Sequence, residues 1–407
     1  MRKRRVVITG MGAISPCGIG LPAMMDALQQ ERCCLSTVPD DLRIPGMECC
    51  LAGLVPPIPD VKRIPRELRR SMSPMSIYAL LAAKEALAQA GLPEDDLPRM
   101  GVCLGSTMGS GQELHSLFAS FIPTNSLDAV RTMAFFKIMP HTASTALAIA
   151  LGLFGRLLNP TAACAAGLQG IGMAYEAIAF GREDRMLCGG TEEYSPLTTA
   201  TFDKIGAASH AREAENGSRP FDIRRDGIVC SEGAGVLVLE EKELAEARGA
   251  RIIAEIAGFA TASSPRDIAQ PSTETTIECM RAALDDAGLA PRDIAYVNAH
   301  ATATVAGDVA ESQAIAALWG DRVPVSSLKG ILGHAMAASG ALEVIACADM
   351  MRHGHRIGCR SDLRPDPACG GVRLAPSTNK WSAGPIIKNS FALGGVYASL
   401  VLRPARG

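Results

Sequence analysis

The sequence repeats itself. Ala86-Leu87-Ala88-Gln89-Ala90-Gly91-Leu92 returns as Ala283-Leu284-Asp285-Asp286-Ala287-Gly288-Leu289. Each copy reads as a helix closed by glycine, then a short Pro/Asp loop, then a β-branched run. The first run ends at Cys103-Leu104-Gly105-Ser106-Thr107 and the second at Asn298-Ala299-His300-Ala301-Thr302. A second echo pairs Gly233-Ala234-Gly235-Val236-Leu237-Val238-Leu239 with Val396-Tyr397-Ala398-Ser399-Leu400-Val401-Leu402. Chance supplies either echo alone; both in the same order point to two related halves, residues 1–250 and 251–407. Two sheets sharing central helices follow, with a ligand near the strand ends where the halves meet.

The pattern inside each half is α/β. Strands are expected at Arg5–Met11, Met100–Gly105, Arg185–Gly190, Gly235–Leu239, Arg251–Phe259, Ile294–Ala299, Pro385–Asn389 and Ala398–Leu402. Helices are expected at Met72–Gly91, Gly167–Phe180, Thr273–Gly288, Val309–Trp319 and Ala335–Met351. An apolar share of 48% supports a large core across 407 residues. Lys plus Arg is 40 against 42 for Asp plus Glu, which argues against a protein held to nucleic acid or a membrane surface by a basic face. Aromatics at 4% disfavour a reader of stacked bases. Arg2-Lys3-Arg4-Arg5 imitates the start of a signal peptide, but the apolar run after it breaks at Gly10 and Gly12 and reaches Pro16 too soon. The longest apolar stretch, Ala146–Phe154, is too short to cross a bilayer. A soluble cytoplasmic protein is expected. The thirteen cysteines contain no CxxC and suggest no disulfide framework, so they read as small apolar filler in a reducing compartment.

One cysteine stands apart. Asn159-Pro160-Thr161-Ala162-Ala163-Cys164-Ala165-Ala166-Gly167-Leu168-Gln169-Gly170 precedes apolar residues at helical spacing. Cys164 thus falls at a helix N-terminus, where the dipole favours a thiolate and lowers its pKa. The segment reads equally as a buried Cys in an Ala-rich helix start. His300 lies at a strand end, with Thr302 and Thr304 placed to offer hydroxyls to a polar arm. Asp308 and Glu311 look like a capping pair for the next helix. In Ser326-Ser327-Leu328-Lys329-Gly330-Ile331-Leu332-Gly333-His334-Ala335, His334 again stands at a helix start, which disfavours the imidazolium. Lys329 reads as a surface lysine or as a buried group orienting the site. Asn389-Ser390-Phe391-Ala392-Leu393-Gly394-Gly395 ends a strand in a turn whose amides suit an oxyanion. Together these groups suit covalent acyl chemistry on a thioester, with the cysteine accepting the acyl group and two neutral histidines stabilising an enolate.

With these motifs in place, the chain resembles the β-ketoacyl-acyl carrier protein synthases, the decarboxylating condensing enzymes of fatty acid and type II polyketide synthesis. The resemblance runs from Val6 to the C-terminal strand and includes Arg219-Pro220-Phe221-Asp222-Ile223-Arg224-Arg225-Asp226-Gly227. It implies a thiolase-like fold of two similar mixed-sheet halves in a layered α-β-α-β-α arrangement. The half 1–250 would carry the nucleophile, and 251–407 the two histidines and the lysine. Cys164 would take the acyl group, His300 and His334 would bind the malonyl thioester, and Lys329 would support the site. The backbone amides of Cys164 and Leu393 would form the oxyanion hole. Thr302 and Thr304 would meet the carrier's pantetheine arm, while Met108 and Phe391 would line the acyl pocket and its edge. The resemblance implies no cofactor and no metal, since acyl groups arrive on the phosphopantetheine of an acyl carrier protein. It implies a homodimer, or the catalytic partner of a chain-length-factor subunit. Two departures bear on specificity: Ala301 and Ala303 replace Gly and Ser of the family's His-Gly-Thr-Ser-Thr, and Leu393 replaces a gating Phe.

Among other readings, a non-catalytic chain-length subunit would normally lack the cysteine. A degradative thiolase would need a second cysteine in Asn389–Gly395, which has none. Gly10 and Gly12 lack the third glycine of a dinucleotide fingerprint.

Overall fold

Apolar, β-branched runs alternate with Ala-rich helices along the chain, and they become strands of one extended sheet, with β3 and β4 pairing in a small sheet of their own. The computed structural model describes residues 3–59, 61–265 and 268–405; Arg2 of the basic N-terminal run lies outside the described residues. The first half supplies β1 (Val6–Ser15), β2 (Gly18–Ile19), β3 (Ser36–Thr37), β4 (Leu51–Ala52), β5 (Gly101–Gly105), β6 (Leu157–Leu158), β7 (Arg185–Glu192) and β8 (Gly233–Glu241). The second supplies β9 (Ala254–Ser263), β10 (Tyr296–Asn298), β11 (Pro324–Ser326), β12 (Arg373–Leu374), β13 (Ile386–Ala392) and β14 (Val396–Pro404).

The repeat is visible in the topology. In the first half β1 pairs antiparallel with β8 and β8 with β7, while β7–β5 and β5–β6 run parallel. In the second half β9–β14 and β14–β13 are antiparallel, while β13–β10 and β10–β11 run parallel. Both echoed helices end on a left-handed glycine, Gly91 (φ 57°) and Gly288 (φ 61°), which closes the helix at no Cβ cost. Each is followed by a short 3₁₀ turn, Glu94–Arg99 or Pro291–Asp293, and then by β5 or β10.

Two separate sheets were expected from the repeat; the structure joins them. β1 and β9 pair antiparallel through Val6–Ile256, Val7–Glu255 and Ile8–Ala254, giving one sheet in the order β12-β11-β10-β13-β14-β9-β1-β8-β7-β5-β6. Each of these strands would otherwise be the open edge of its own half, and pairing the edges satisfies their backbone groups. Helices complete five layers. Pro74–Ala90 covers β1 and β8, and Thr273–Ala287 covers β9 and β14 with Val305–Trp319 packed beside it. Between the half-sheets, Ala166–Ala179 and Ala337–His353 pack on each other and touch both halves. Every residue from Ala337 to Met351 is buried, as a helix enclosed on all sides must be.

The centre of the molecule explains the small residues around Cys164. A Cβ on Gly167 would stand 2.1 Å from the Ala337 carbonyl oxygen, and one on Gly190 would stand 2.2 Å from the same atom. The run of small residues thus permits backbone-to-backbone contact between the two central helices and β7, in addition to any room it leaves beside the sulfur.

The expected strands and helices form, with ends shifted by a few residues. Six strands were not foreseen: β2, β3, β4, β6, β11 and β12 are only two or three residues long, too short to show a period. Helices Leu21–Gln29, Gly111–Thr124, Thr142–Leu151 and Pro196–Lys204 were also not foreseen. The expectation that no cysteines pair is corrected. Cys17, just after β1, and Cys34, beyond helix Leu21–Gln29, meet with Cα atoms 5.0 Å apart and form a disulfide, leaving eleven free cysteines. Among the described residues, no helix is long and apolar enough to cross a membrane.

Candidate active site

The connection after β6 turns sharply at Ala163, a non-glycine residue with φ 45°, before a 3₁₀ turn (Ala163–Ala165) runs into helix Ala166–Ala179. Such strain gathers where a side chain must be aimed. Cys164 stands on this turn, 5% exposed, with Sγ 4.0 Å from Met336 Sδ. Its thiol departs from the expected low pKa. Burial pushes it up to about 12, Lys329 pulls it down, Glu192 raises it further, and the residue's own backbone N–H lowers it. Desolvation outweighs the helix N-terminus because the sulfur faces few charges and almost no solvent.

His300 follows β10, and His334 stands where the chain bridges Cys230 before the helix at Ala337. The rings meet edge to face with centroids 5.3 Å apart, and Phe391 lies 5.9 Å from His300. One donor atom from each of Cys164, His300 and His334 falls within 4.8 Å of the others. His334 Nδ1 lies 2.9 Å from Ser339 Oγ, whereas His334 Nε2 and His300 Nδ1 have no hydrogen-bond partner among the described residues. Burial holds both imidazoles well below their usual range, and Lys329 lowers them further. The neutrality expected of His334 from a helix start thus arises from burial and nearby lysines. A Cys/His/His set also matches the ligand types of zinc.

These groups form the floor of a cavity of about 410 Å³. Thr302, Thr304, Phe391, Leu393 and Tyr397 line it with them. The two threonine hydroxyls lie 3.2 Å apart, and Leu393 is 38% exposed in the turn between β13 and β14. Two singled-out residues lie elsewhere. Lys329 does not line the cavity; it is fully buried behind it, with Nζ donating to Glu343 Oε1 at 2.6 Å. Met108 does not line it either, but stands 39% exposed between β5 and helix Gly111–Thr124.

The capping role expected of Asp308 and Glu311 is also corrected. Thr304 is the N-cap of helix Val305–Trp319, and both acids lie inside that helix, buried. The first helical turn begins earlier than the apolar spacing implied, so these carboxylates face the neighbouring loop instead of their own helix end. Glu311 accepts from the backbone N–H of His300 (2.9 Å) and Ala301 (2.7 Å) and from the Asn389 amide (3.1 Å). Asp308 accepts from Ala303 and Phe221 N–H, while burial pushes its carboxyl up to about 7. The segment Arg219–Gly227 supplies the other brace: Arg225 donates to the Thr304 and Val305 carbonyls and pairs with Asp366. The loop carrying His300, Thr302 and Thr304 is therefore held by buried charges from two parts of the chain, Asp308 and Glu311 on the following helix and Arg225. The sequence did not single out Glu343, Lys388, Ser339 or Tyr397. Only their tertiary neighbours mark them, although Lys388, a charge inside an apolar strand, was a legible anomaly.

A family model described as the beta-ketoacyl synthase N-terminal domain matches residues 3–245, and its C-terminal counterpart matches 253–357. The chain is 36% identical to Nodulation protein E of Rhizobium leguminosarum bv. trifolii, covering 98% of this chain and 99% of that one. It is 34% identical to 3-oxoacyl-[acyl-carrier-protein] synthase 1 of Escherichia coli (strain K12), over 98% and 99%. Among solved structures, a beta-ketoacyl synthase from Burkholderia phymatum STM815 superposes with TM-score 0.94 at 40% identity, over 99% and 100% of the chains. The ishigamide ketosynthase/chain length factor gives 0.90 at 31%, over 99% and 100%. A type II polyketide ketosynthase in complex with its acyl-carrier protein gives 0.89 at 27%, also over 99% and 100%.

Proposed function

The chain belongs to the β-ketoacyl synthase family, and we propose that it performs the family's acyltransfer and condensation through Cys164, His300 and His334. It has the thiolase-like fold and is a 3-oxoacyl-[acyl-carrier-protein] synthase. The observation that carries the residue assignment is the meeting of one thiol and two unprotonated imidazoles within 4.8 Å on the floor of the cavity.

In the first step Cys164 Sγ attacks the acyl thioester carbonyl, the C–S bond to the carrier's pantetheine breaks, and the thiol proton passes to the leaving sulfur. The backbone N–H groups of Cys164 and Leu393 hold the transient oxyanion. In the second step malonyl thioester binds with its carbonyl oxygen on His300 and His334. The C–C bond to its carboxylate breaks, CO₂ leaves, and the electron pair passes into the enolate that the two neutral N–H donors stabilise. The enolate carbon then attacks the acyl-Cys164 carbonyl, and collapse of that adduct returns the thiolate. Neutral imidazoles suit this role because they donate without needing to lose charge. Thr302 and Thr304 bind the pantetheine arm, Phe391 edges the acyl pocket, Met108, outside the cavity of the single chain, would border that pocket only at the dimer interface, and the 3-oxoacyl product serves a fatty acid or a specialised polyene or polyketide chain. Leu393, smaller than the family's gating Phe, suits a bulkier acyl group.

The enzyme works as a dimer in the cytoplasm. Support for the dimer comes from exposed apolar side chains: Phe118 and Ile122 on helix Gly111–Thr124, Leu127 in the turn after it, Phe135 on helix Ala134–Ile138, Phe154 in the loop before β6, and Leu157 on the edge strand β6. That face accepts a second copy or a chain-length-factor-like subunit. Eleven free thiols support the reducing compartment.

The test incubates the protein with acyl- and malonyl-carrier protein and follows CO₂, 3-oxoacyl product and the mass of the Cys164 peptide. Wild type forms all three, Cys164→Ala makes no condensed product, and Cys164→Gln continues to release CO₂ from malonyl carrier. A wild type that forms neither product nor acyl-Cys164 overturns the assignment.

A further inference from the structure

β13 is an interior strand between β10 and β14, where an apolar residue is the rule, yet it carries Lys388. The side chain is 0% exposed. In the ladder Lys388 is registered with Asn298, two residues before His300, and with Leu400. Its Nζ stands 2.6 Å from Glu343 Oε2, while Lys329 holds the other oxygen of the same carboxylate at 2.6 Å. Lys388 also donates to the carbonyl of Asn389, whose amide in turn holds Glu311. Two ammonium groups, Lys329 and Lys388, therefore face two carboxylates, Glu343 and Glu311, in a region closed to solvent.

The second cation changes the balance of that region. With Lys329 alone, the two carboxylates would leave a net negative charge directly behind the histidines. A buried, uncompensated negative charge favours an imidazolium and opposes a bound malonyl carboxylate and an enolate. Resting on the reading of Cys164, His300 and His334 given above, we propose that Lys388 is a positioning residue for the condensation: it shares Glu343 with Lys329 and supplies the positive charge that keeps the cluster balanced behind the two histidines.

The remaining titratable groups facing the pair do not supply that charge. Cys347, on helix Ala337–His353, has a thiol that burial raises and Lys388 lowers. Glu192, at the end of β7, is pushed up to about 8 by burial and so carries a proton at neutral pH. Cys164 is a thiol in the empty site. Lys329 itself is lowered by burial, raised by Glu343 and lowered by Lys388. His300 and His334 are lowered by burial first, then by Lys329, and Lys388 pushes both in the same direction.

Removing a positive charge raises the pKa of a neighbouring imidazole, so activity that needs neutral histidines is lost at a higher pH on acidification. The experiment compares wild type, Lys388→Met and Lys388→Met/Glu343→Gln. It records malonyl-carrier decarboxylation from pH 4.5 to 9, Cys164 acylation at pH 8 by mass, and folding by circular dichroism. In Lys388→Met the acid limb moves up by about one pH unit, while acylation at pH 8 stays within about twofold of wild type. In the double variant, which removes one negative charge as well, the limb returns toward its wild-type position. A structural role alone would lower the folded fraction without moving the limb, and no loss of charge elsewhere would restore it. If Lys388→Met does not fold, Lys388→Gln is read in its place. An unmoved limb in a wild-type-like, acylating variant overturns this inference alone, as does failure of the double variant to return. A wild type that neither acylates Cys164 nor releases CO₂ overturns the site assignment and this inference with it.

Discussion

The two halves place the same connection at the same point of the fold and fill it differently. After β6 the first half makes a strained turn, presents Cys164 and enters a central helix at Ala166. After β11 the second half makes a short helix at Lys329–Leu332, presents His334 and enters the other central helix at Ala337. The first connection is uncharged, its neighbours are small, and its thiol is buried. The second is backed by Lys329, Glu343 and Lys388, all buried. The two halves bring side chains to the cleft at the same point of the fold, and the proposed function gives the first half the nucleophile and the second the charges that stabilise an anion beside it. Predictions that separate the halves follow from this contrast.

The largest effect belongs to the second half. His300→Ala and His334→Ala should each lower malonyl-carrier decarboxylation about 10²–10³-fold while leaving Cys164 acylation within a few-fold, because the donors serve the enolate and not the thiol. Quench-flow measurement of both steps checks this, and equal loss of both would erase the division of labour. The next effect belongs to the first half. With its thiol pushed up to about 12 by burial, Cys164 in the empty enzyme should be alkylated by iodoacetamide about tenfold faster for each pH unit between 7 and 9, followed on its own peptide. A plateau near pH 8 would show an activated thiolate and break the contrast. The smallest effect concerns Glu192, at the end of β7. Burial raises its carboxyl from the ordinary range to about 8, so the folded state holds the proton more tightly than the unfolded one. Its contribution is complete below about pH 4.5 and is lost as pH rises through 8. Glu192→Gln should therefore flatten the fall of Tm between pH 5 and 8, by roughly 2–4 °C at the alkaline end, in calorimetric scans.

Much of this site was legible from local pattern. Cys164, His300 and His334 each stand among small residues at an element end, and the echoed Ala-Gly-Leu segments gave the two halves before any contact was known. Lys329 was legible as a residue of interest but not as a buried one, because a single lysine carries no sign of its burial. Asp308 and Glu311 were visible for their spacing and misassigned. The Asp-x-x-Glu pattern fits a helix start, whereas the donors that claim these carboxylates, Phe221, His300, Ala301 and Ala303, all lie outside their own helix. Cys17 and Cys34 gave no signal, since their meeting depends on how helix Leu21–Gln29 folds back against the end of β1.

The sequence by itself determined the repeated α/β architecture, the element that presents each candidate site side chain and the kind of chemistry such residue types perform. Periodicity, glycine stops and motif spacing are properties of neighbours along the chain, and a linear reading recovers them. Tertiary structure alone decided that two half-sheets join through β1 and β9, that Met108 faces outward, and that the Cys164 thiol is raised and not lowered. It also decided that Lys329 and Lys388 share one carboxylate. Each of these depends on desolvation or on a charge contributed by a distant segment, as when Met336 meets Cys164 across 172 residues of chain. Electrostatic energy depends on distance and burial in space, and neither is written in the order of residues.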